Sequence, residues 1–152
     1  MLANLLKAKN VKIEQKASDW QEAVRISLQD LLDGGYVEES YIDSVIESTI
    51  HYGPYYVLAE NVALIHGRPE EGVREKQLAV TLLREPVQFS EDGHPVRLMI
   101  ALAATDSESH LDAMRVLASV LGDEAKIQEM LEARTPQALY QMFLNAEKEI
   151  EE

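Results

Sequence analysis

Val96-Arg97-Leu98-Met99-Ile100-Ala101-Leu102-Ala103-Ala104 is apolar at every position but one. A run of this length without polar alternation reads as a central β-strand covered on both faces, because a half-exposed strand would alternate with period two. Gly93-His94-Pro95 marks the loop that leads into it. Three further strand-like runs lie upstream: Leu78 to Leu83, Val62-Ala63-Leu64-Ile65, and Tyr55-Tyr56-Val57-Leu58. Val11-Lys12-Ile13 adds a brief one near the amino terminus. A strand buried on both faces needs a layer on each side, and the flanking sequence supplies candidates for both.

Leu2, Leu5 and Leu6 make a short amphipathic start. Ser18-Asp19-Trp20-Gln21 reads as a capping box with Ser18 at the cap. Trp20, Val24, Leu28 and Leu31 then share a helical face until Gly34-Gly35 ends the helix. A second helix is expected from about Glu39 to Thr49, with Ile42, Val45, Ile46 and Ile50 as its apolar stripe. After the central strand, Leu111, Met114, Leu117, Ala118 and Leu121 form a stripe, and Gly122-Asp123 breaks and restarts the chain. Thr135-Pro136 caps a last helix that buries Leu139, Phe143 and Leu144, and Lys148 to Glu152 reads as a frayed charged tail. The order is helices, strands, helices, with no repeat and no linker. The expectation is one α/β (α+β layered) domain over residues 1–152, a mixed sheet flanked by helices on both faces.

Composition narrows the function. The chain of 152 residues has a formal net charge of −13, which opposes nucleic acid and anionic membrane surfaces alike. It contains no cysteine, so disulfides, thiol nucleophiles and cysteine metal sites are excluded. No segment approaches the length of a membrane span, and no leader is recognisable, so a cytoplasmic location is expected.

The reactive candidates are histidines, of which the chain has four. His66 has the richest context: Asn61-Val62-Ala63-Leu64-Ile65-His66-Gly67-Arg68-Pro69-Glu70-Glu71-Gly72-Val73. An apolar strand ends in the imidazole, and Gly-Arg-Pro forces the chain into a loop. Two readings fit. One is a structural ring satisfied by a backbone carbonyl. The other is a nucleophile whose neutral nitrogen attacks phosphorus to form a labile phosphoramidate. In the second, Gly67 admits a bulky phosphoryl group and Arg68 offers a charge-assisted donor. Glu70 and Glu71 read as solvated rim charges. His110, in Asp106-Ser107-Glu108-Ser109-His110-Leu111, falls in the first turn of a helix capped by Asp106 or Ser107, where unpaired N–H groups favour an anion. The catalytic candidates are therefore His66 and His110, with Arg68, Ser109 and Gly67 as binding residues. His51, before Tyr52-Gly53-Pro54, reads as structural or as lining the same cleft, and His94 is given no role. No metal site is expected, because Gly67 and Pro69 prevent His66 and Glu70 from sharing a helix face.

These pieces, in this order, resemble the type 2 enzyme IIA components of the bacterial phosphoenolpyruvate-dependent sugar phosphotransferase system, the mannitol–fructose fold group, and within it the ascorbate-type branch. The resemblance is carried by Tyr52-Gly53-Pro54-Tyr55, by Val62 to Val73 with its His-x-Arg-Pro-Glu-x-Gly-Val run, and by Ala104 to Leu111. It implies a phosphocarrier in which His66 accepts a phosphoryl group from the histidine phosphocarrier protein and passes it to a cysteine of an enzyme IIB, which feeds a membrane permease for ascorbate or a related sugar or polyol. His110 would hydrogen-bond the phosphoryl group. No cofactor is implied, since the donor is a phosphoprotein. The chain departs from the pattern at Ile65, where ascorbate-type members carry proline, and near Ser48, where mannitol-type members carry arginine. The alternatives are a regulatory module that reports phosphorylation state without feeding a transporter, and a binding protein in which His66 is structural.

Overall fold

A computed structural model describes residues 2–151. The chain runs through α1 (Leu2–Leu5), β1 (Leu6–Glu14), α2 (Trp20–Asp33), α3 (Glu39–Tyr52), β2 (Val57–Ala59) and β3 (Asn61–Ile65). A 3₁₀ turn at Pro69–Glu71 follows, then β4 (Gln77–Gln88), β5 (Pro95–Ala103), α4 (Ser107–Leu121), α5 (Glu124–Leu131) and α6 (Pro136–Glu151).

The apolar run at 96–104 forms β5, in the middle of a five-stranded sheet of order β1-β4-β5-β3-β2. β5 is antiparallel to β4 and parallel to β3, while β1 lies parallel to β4 and β2 antiparallel to β3, so the sheet is mixed as expected. Both faces are buried. Leu98, Ile100 and Leu102 point into a core shared with Ala113, Leu117 and Val120 of α4, Ile127 of α5 and Phe143 of α6. Met99, Ala101 and Ala103 point the other way, against Val24 and Leu28 of α2 and Tyr41 and Val45 of α3. Burial of each large aliphatic side chain contributes about 1.5–3 kcal/mol, and β5 places such side chains in both layers.

Several local expectations shift. The cap of α2 is Asp19, not Ser18: Asp19 Oδ1 accepts from Glu22 N–H at 2.8 Å, and Glu22 Oε1 accepts from Ser18 N–H at 2.9 Å. Two adjacent capping residues compete, and Asp19 wins because Glu22 can then reach back. α3 continues to Tyr52 and buries Tyr41, Ile42, Val45 and Thr49, while Ile50 is 65% exposed. Ile50 lies well off the Ile42–Val45–Thr49 line once the helix turns by 100° per residue. On α4 the inward residues are Ala113, Leu117 and Val120, with Leu111 and Ala118 exposed. Tyr55 and Tyr56 precede β2 rather than belonging to it, because Gly53 (φ 82°) and Pro54 hold the chain in a turn. β1 reaches back to Leu6 across a register break, and β4 continues past Leu83 through a second break where exposed Pro86 interrupts the ladder.

The expected frayed tail continues α6 as far as Glu151. Glu152, Met1 and the Leu2 side chain of the expected amphipathic start lie outside the described residues. Among the described residues no helix is long and apolar enough to cross a membrane.

Candidate active site

β3 and β5 are parallel neighbours, with Ile65 opposite Ala101, so both strands release the chain at the same sheet edge. That edge is where open α/β sheets place their ligands. His66 follows β3 directly, and His110 lies in the first turn of α4, reached from β5. The two imidazoles meet there, with ring centroids 5.3 Å apart and planes at 50°. They face an open cleft of about 600 Å³, bounded by Ser44, Ser48 and Tyr52 of α3 on one side and by Ser107 and Leu111 of α4 on the other.

His66 is oriented by its own strand. Its Nδ1 lies 2.7 Å from the Leu64 carbonyl oxygen. A carbonyl can only accept, so Nδ1 carries the proton and Nε2 is left with its lone pair. Burial holds the ring below the ordinary histidine range; the Leu64 carbonyl opposes this by stabilising the protonated form, and the neighbouring His110 reinforces it. The imidazole is thus neutral near pH 7. Tyr55 packs edge-on against it, with centroids 5.4 Å apart.

The backbone beyond His66 is held just as closely. The His66 carbonyl accepts from the Tyr55 hydroxyl at 2.6 Å, and the Gly67 N–H donates to the Tyr41 hydroxyl at 2.8 Å. The Tyr41 hydroxyl in turn donates to the Leu102 carbonyl at 2.7 Å. Burial raises the Tyr41 phenol far above the ordinary tyrosine value, so it keeps that proton. Gly67 lies against α3: a Cβ there would sit 3.1 Å from Val45 Cγ2 and 3.4 Å from Tyr41 Cε1.

The remaining candidates sit around this core. Arg68 lines the cleft but is exposed, its guanidinium 2.8 Å from Glu71 and 3.9 Å from Glu70. Ser109 completes the capping box at the start of α4. Its N–H donates to Asp106 Oδ1 at 2.7 Å and its hydroxyl bonds the Asp106 backbone. The Ser109 N–H also holds the Asp106 carboxyl below the usual carboxylate range. Ser107, rather than Ser109, lines the cleft. His51 is exposed and borders an adjoining depression with Asp43 and Glu47, and His94 is exposed in the loop before β5. Among the described residues no group of three His, Asp or Glu converges as metal ligands would. Sequence reasoning gave no role to Tyr41 or to Tyr55. Tyr55 belongs to the Tyr52-Gly53-Pro54-Tyr55 motif, whereas Tyr41 is hidden in an apolar helix face.

Residues 4–146 match the family described as phosphoenolpyruvate-dependent sugar phosphotransferase system, EIIA 2. The chain belongs to that family. As a IIA component it is a phosphotransferase that carries a phosphoryl group on a histidine. Its relatives include the mannitol-specific cryptic phosphotransferase enzyme IIA component of Escherichia coli K12, 37% identical over 138 residues that cover 91% of this chain and 94% of that protein. The ascorbate-specific EIIA component of Mycoplasma pneumoniae is 33% identical over 131 residues, covering 86% of this chain and 82% of that protein. The solution structure of the E. coli cryptic mannitol IIA superposes with a TM-score of 0.88 at 36% identity, over 93% of this chain and 97% of that one. A mannitol IIA in complex with phosphorylated mannitol IIB from E. coli superposes with a TM-score of 0.81 at 26% identity, over 93% and 99%. Relatives named for mannitol and for ascorbate align over comparable lengths, so similarity gives the family and not the carbohydrate.

Proposed function

We propose that residues 1–152 form one IIA domain in which His66 is the phosphoryl acceptor and His110 its phosphate-stabilising partner. The donor is the histidine phosphocarrier protein and the acceptor a cysteine of an enzyme IIB, which supplies a membrane permease. The observation that carries this reading is the Nδ1 contact to Leu64, which leaves the Nε2 lone pair available beside His110 in an open cleft. Nε2 attacks the phosphorus of the donor phosphohistidine. A new N–P bond forms as the donor N–P bond breaks, and its electron pair returns to the donor ring. Phosphorylated His66 carries positive charge on its ring, and Nδ1–H then makes a stronger, charge-assisted bond to the Leu64 carbonyl. The IIB thiolate attacks phosphorus in turn, the S–P bond forms, and neutral His66 leaves.

His110 lies beside His66, where its ring can donate to a phosphoryl oxygen, while the Asp106 carboxylate already takes up the first-turn N–H of Ser109. Arg68 offers its cation when it exchanges Glu71 for the phosphoryl group. Gly67 lets the chain beyond His66 pack closely against Val45 and Tyr41 of α3, and Ser109 acts through the turn that presents His110. The carbohydrate we assign is ascorbate or a related sugar or polyol, and the location is the cytoplasm, where both protein partners meet the chain.

The test is incubation with phosphoenolpyruvate, the upstream kinase and the phosphocarrier. An acid-labile phosphate is expected on the wild type and none on His66→Ala. Onward passage to a IIB cysteine is the expected second step. Label that stays on the IIA with every IIB offered would favour a regulatory module, and normal labelling of His66→Ala would end the assignment.

A further inference from the structure

Two phenols grip one peptide bond. The unit joining His66 to Gly67 accepts from Tyr55 at its carbonyl oxygen, 2.6 Å away, and donates from its N–H to Tyr41, 2.8 Å away. In a trans peptide these two groups point in opposite directions, so the tyrosines hold the unit from both sides. We propose that Tyr41 and Tyr55 are positioning residues for phosphoryl transfer, which fix the His66–Gly67 peptide and so aim the His66 ring at the cleft. The inference rests on the reading of His66 as acceptor.

The two arms are not equivalent. Tyr41 is 1% exposed, and its hydroxyl also donates to Leu102 near the end of β5, the strand that leads to His110. A single oxygen therefore ties the chain beyond one histidine to the strand that feeds the other. Tyr55 is 45% exposed and touches the His66 ring with its own, so it restrains both the carbonyl and the imidazole. Without these bonds the peptide can rotate about its flanking φ and ψ. The Leu64 contact then no longer selects one ring position, because His66 has lost the anchor on its carboxyl side. A misplacement of about 1 Å at a reacting group is enough for about a 100-fold loss in rate.

Tyr41→Phe keeps the ring and removes only the shared oxygen. Ser27→Ala is the control: Ser27 lies on α2, is 1% exposed, and its hydroxyl donates to the Val24 carbonyl at 2.9 Å within that helix. Single-turnover transfer from the phosphorylated phosphocarrier should slow by about 10- to 100-fold in Tyr41→Phe. The donor concentration at half-maximal rate should stay unchanged, since Tyr41 is sealed from any partner, and Ser27→Ala should transfer at the wild-type rate. Nitrogen-15 spectra of the His66 ring should show a single Nδ1–H form in wild type and Ser27→Ala, and a mixture in Tyr41→Phe. Should Tyr41→Phe not fold, the same ring spectrum of Tyr55→Phe, altered at an exposed hydroxyl, decides the matter: an unchanged spectrum overturns the clamp. Equal rates in Tyr41→Phe and Ser27→Ala, whether normal or reduced together, also overturn it. Labelling of the wild type at a residue other than His66 defeats the functional reading instead, and the ring spectra still report whether the clamp exists.

Discussion

Gly67→Ala puts the packing behind His66 to a quantitative test. The added methyl would lie 3.1 Å from Val45 Cγ2, 3.4 Å from Tyr41 Cε1 and 3.8 Å from Tyr41 Cζ. Carbon pairs settle at about 3.5–4.0 Å, so relief needs a shift of about half an ångström. Val45 cannot supply it: the side chain is fully buried and its β-branch is stiff. Tyr41 is pinned by Gly67 and Leu102. The chain at residue 67 therefore moves outward and stretches its bond to Tyr41. Overpacking of this size costs about 1–3 kcal/mol, and in a chain of this length each kcal/mol lowers Tm by about 2–4 °C. Val45→Ala removes the nearest methyl and is itself destabilising. In Gly67→Ala/Val45→Ala the clash is gone, so the double variant should be more stable than the sum of the singles by about 1 kcal/mol. Thermal and denaturant unfolding of the four proteins measure this directly. Strict additivity would refute the reasoning, because it would mean that residue 67 and Val45 do not press on each other.

His110→Ala should slow phosphoryl transfer by about 100-fold, the usual effect of deleting one donor to developing charge, while Tm falls by little, because the ring is only partly buried; parallel losses of rate and stability would contradict the role. Asp106→Ala removes the cap of α4 and should cost about 1 kcal/mol in urea unfolding, with broadened His110 ring signals as the first turn frays. The His66 ring should titrate below the ordinary value of about 6.5, as its burial requires. The unfolded chain then binds the proton more tightly, so His66 lowers stability as pH falls from about 6.5 towards its folded value. Unfolding free energies of wild type and His66→Gln between pH 7 and 5 should diverge in that direction, and parallel curves would contradict it.

The sheet was legible because β5 is apolar on both faces, and only a middle strand needs that. The full strand order was not, since the β3–β5 and β1–β4 pairings join residues tens of positions apart and leave no local trace. The strand-to-loop exit at His66 and the helix start at His110 were readable from Gly67, Pro69 and Asp106. Their approach to 5.3 Å follows from the parallel register, which the sequence does not state. Ile50 and Leu111 were misread as core because periodicity reports apolar residues and not what faces them. Leu111 instead forms the rim of the cleft. Tyr41 escaped notice for the converse reason. It shares a face with Ile42 and Val45, and its hydroxyl meets groups 26 and 61 residues away.

The choice of a backbone carbonyl to orient His66 has an energetic logic in the proposed role. A carboxylate on Nδ1–H, as in Ser-His-Asp sites, stabilises the imidazolium and makes the ring a stronger base. A carrier that held its phosphorylated, positively charged ring that firmly would deepen the intermediate and slow the second transfer. The Leu64 carbonyl supplies the same direction with a partial charge only, and burial pushes the ring towards neutrality. Arg68, which lines the cleft, is already matched by Glu71, so it must give up one anion to take another, and that exchange keeps its net grip small. In the proposed role the bonds from Tyr55 to His66 and from Gly67 to Tyr41 stay neutral in the free and loaded states, and only the Leu64 contact strengthens when the ring carries charge. A Leu64 carbonyl replaced in effect by a carboxylate should therefore speed acceptance and slow release, whereas loss of a neutral anchor should slow both steps alike.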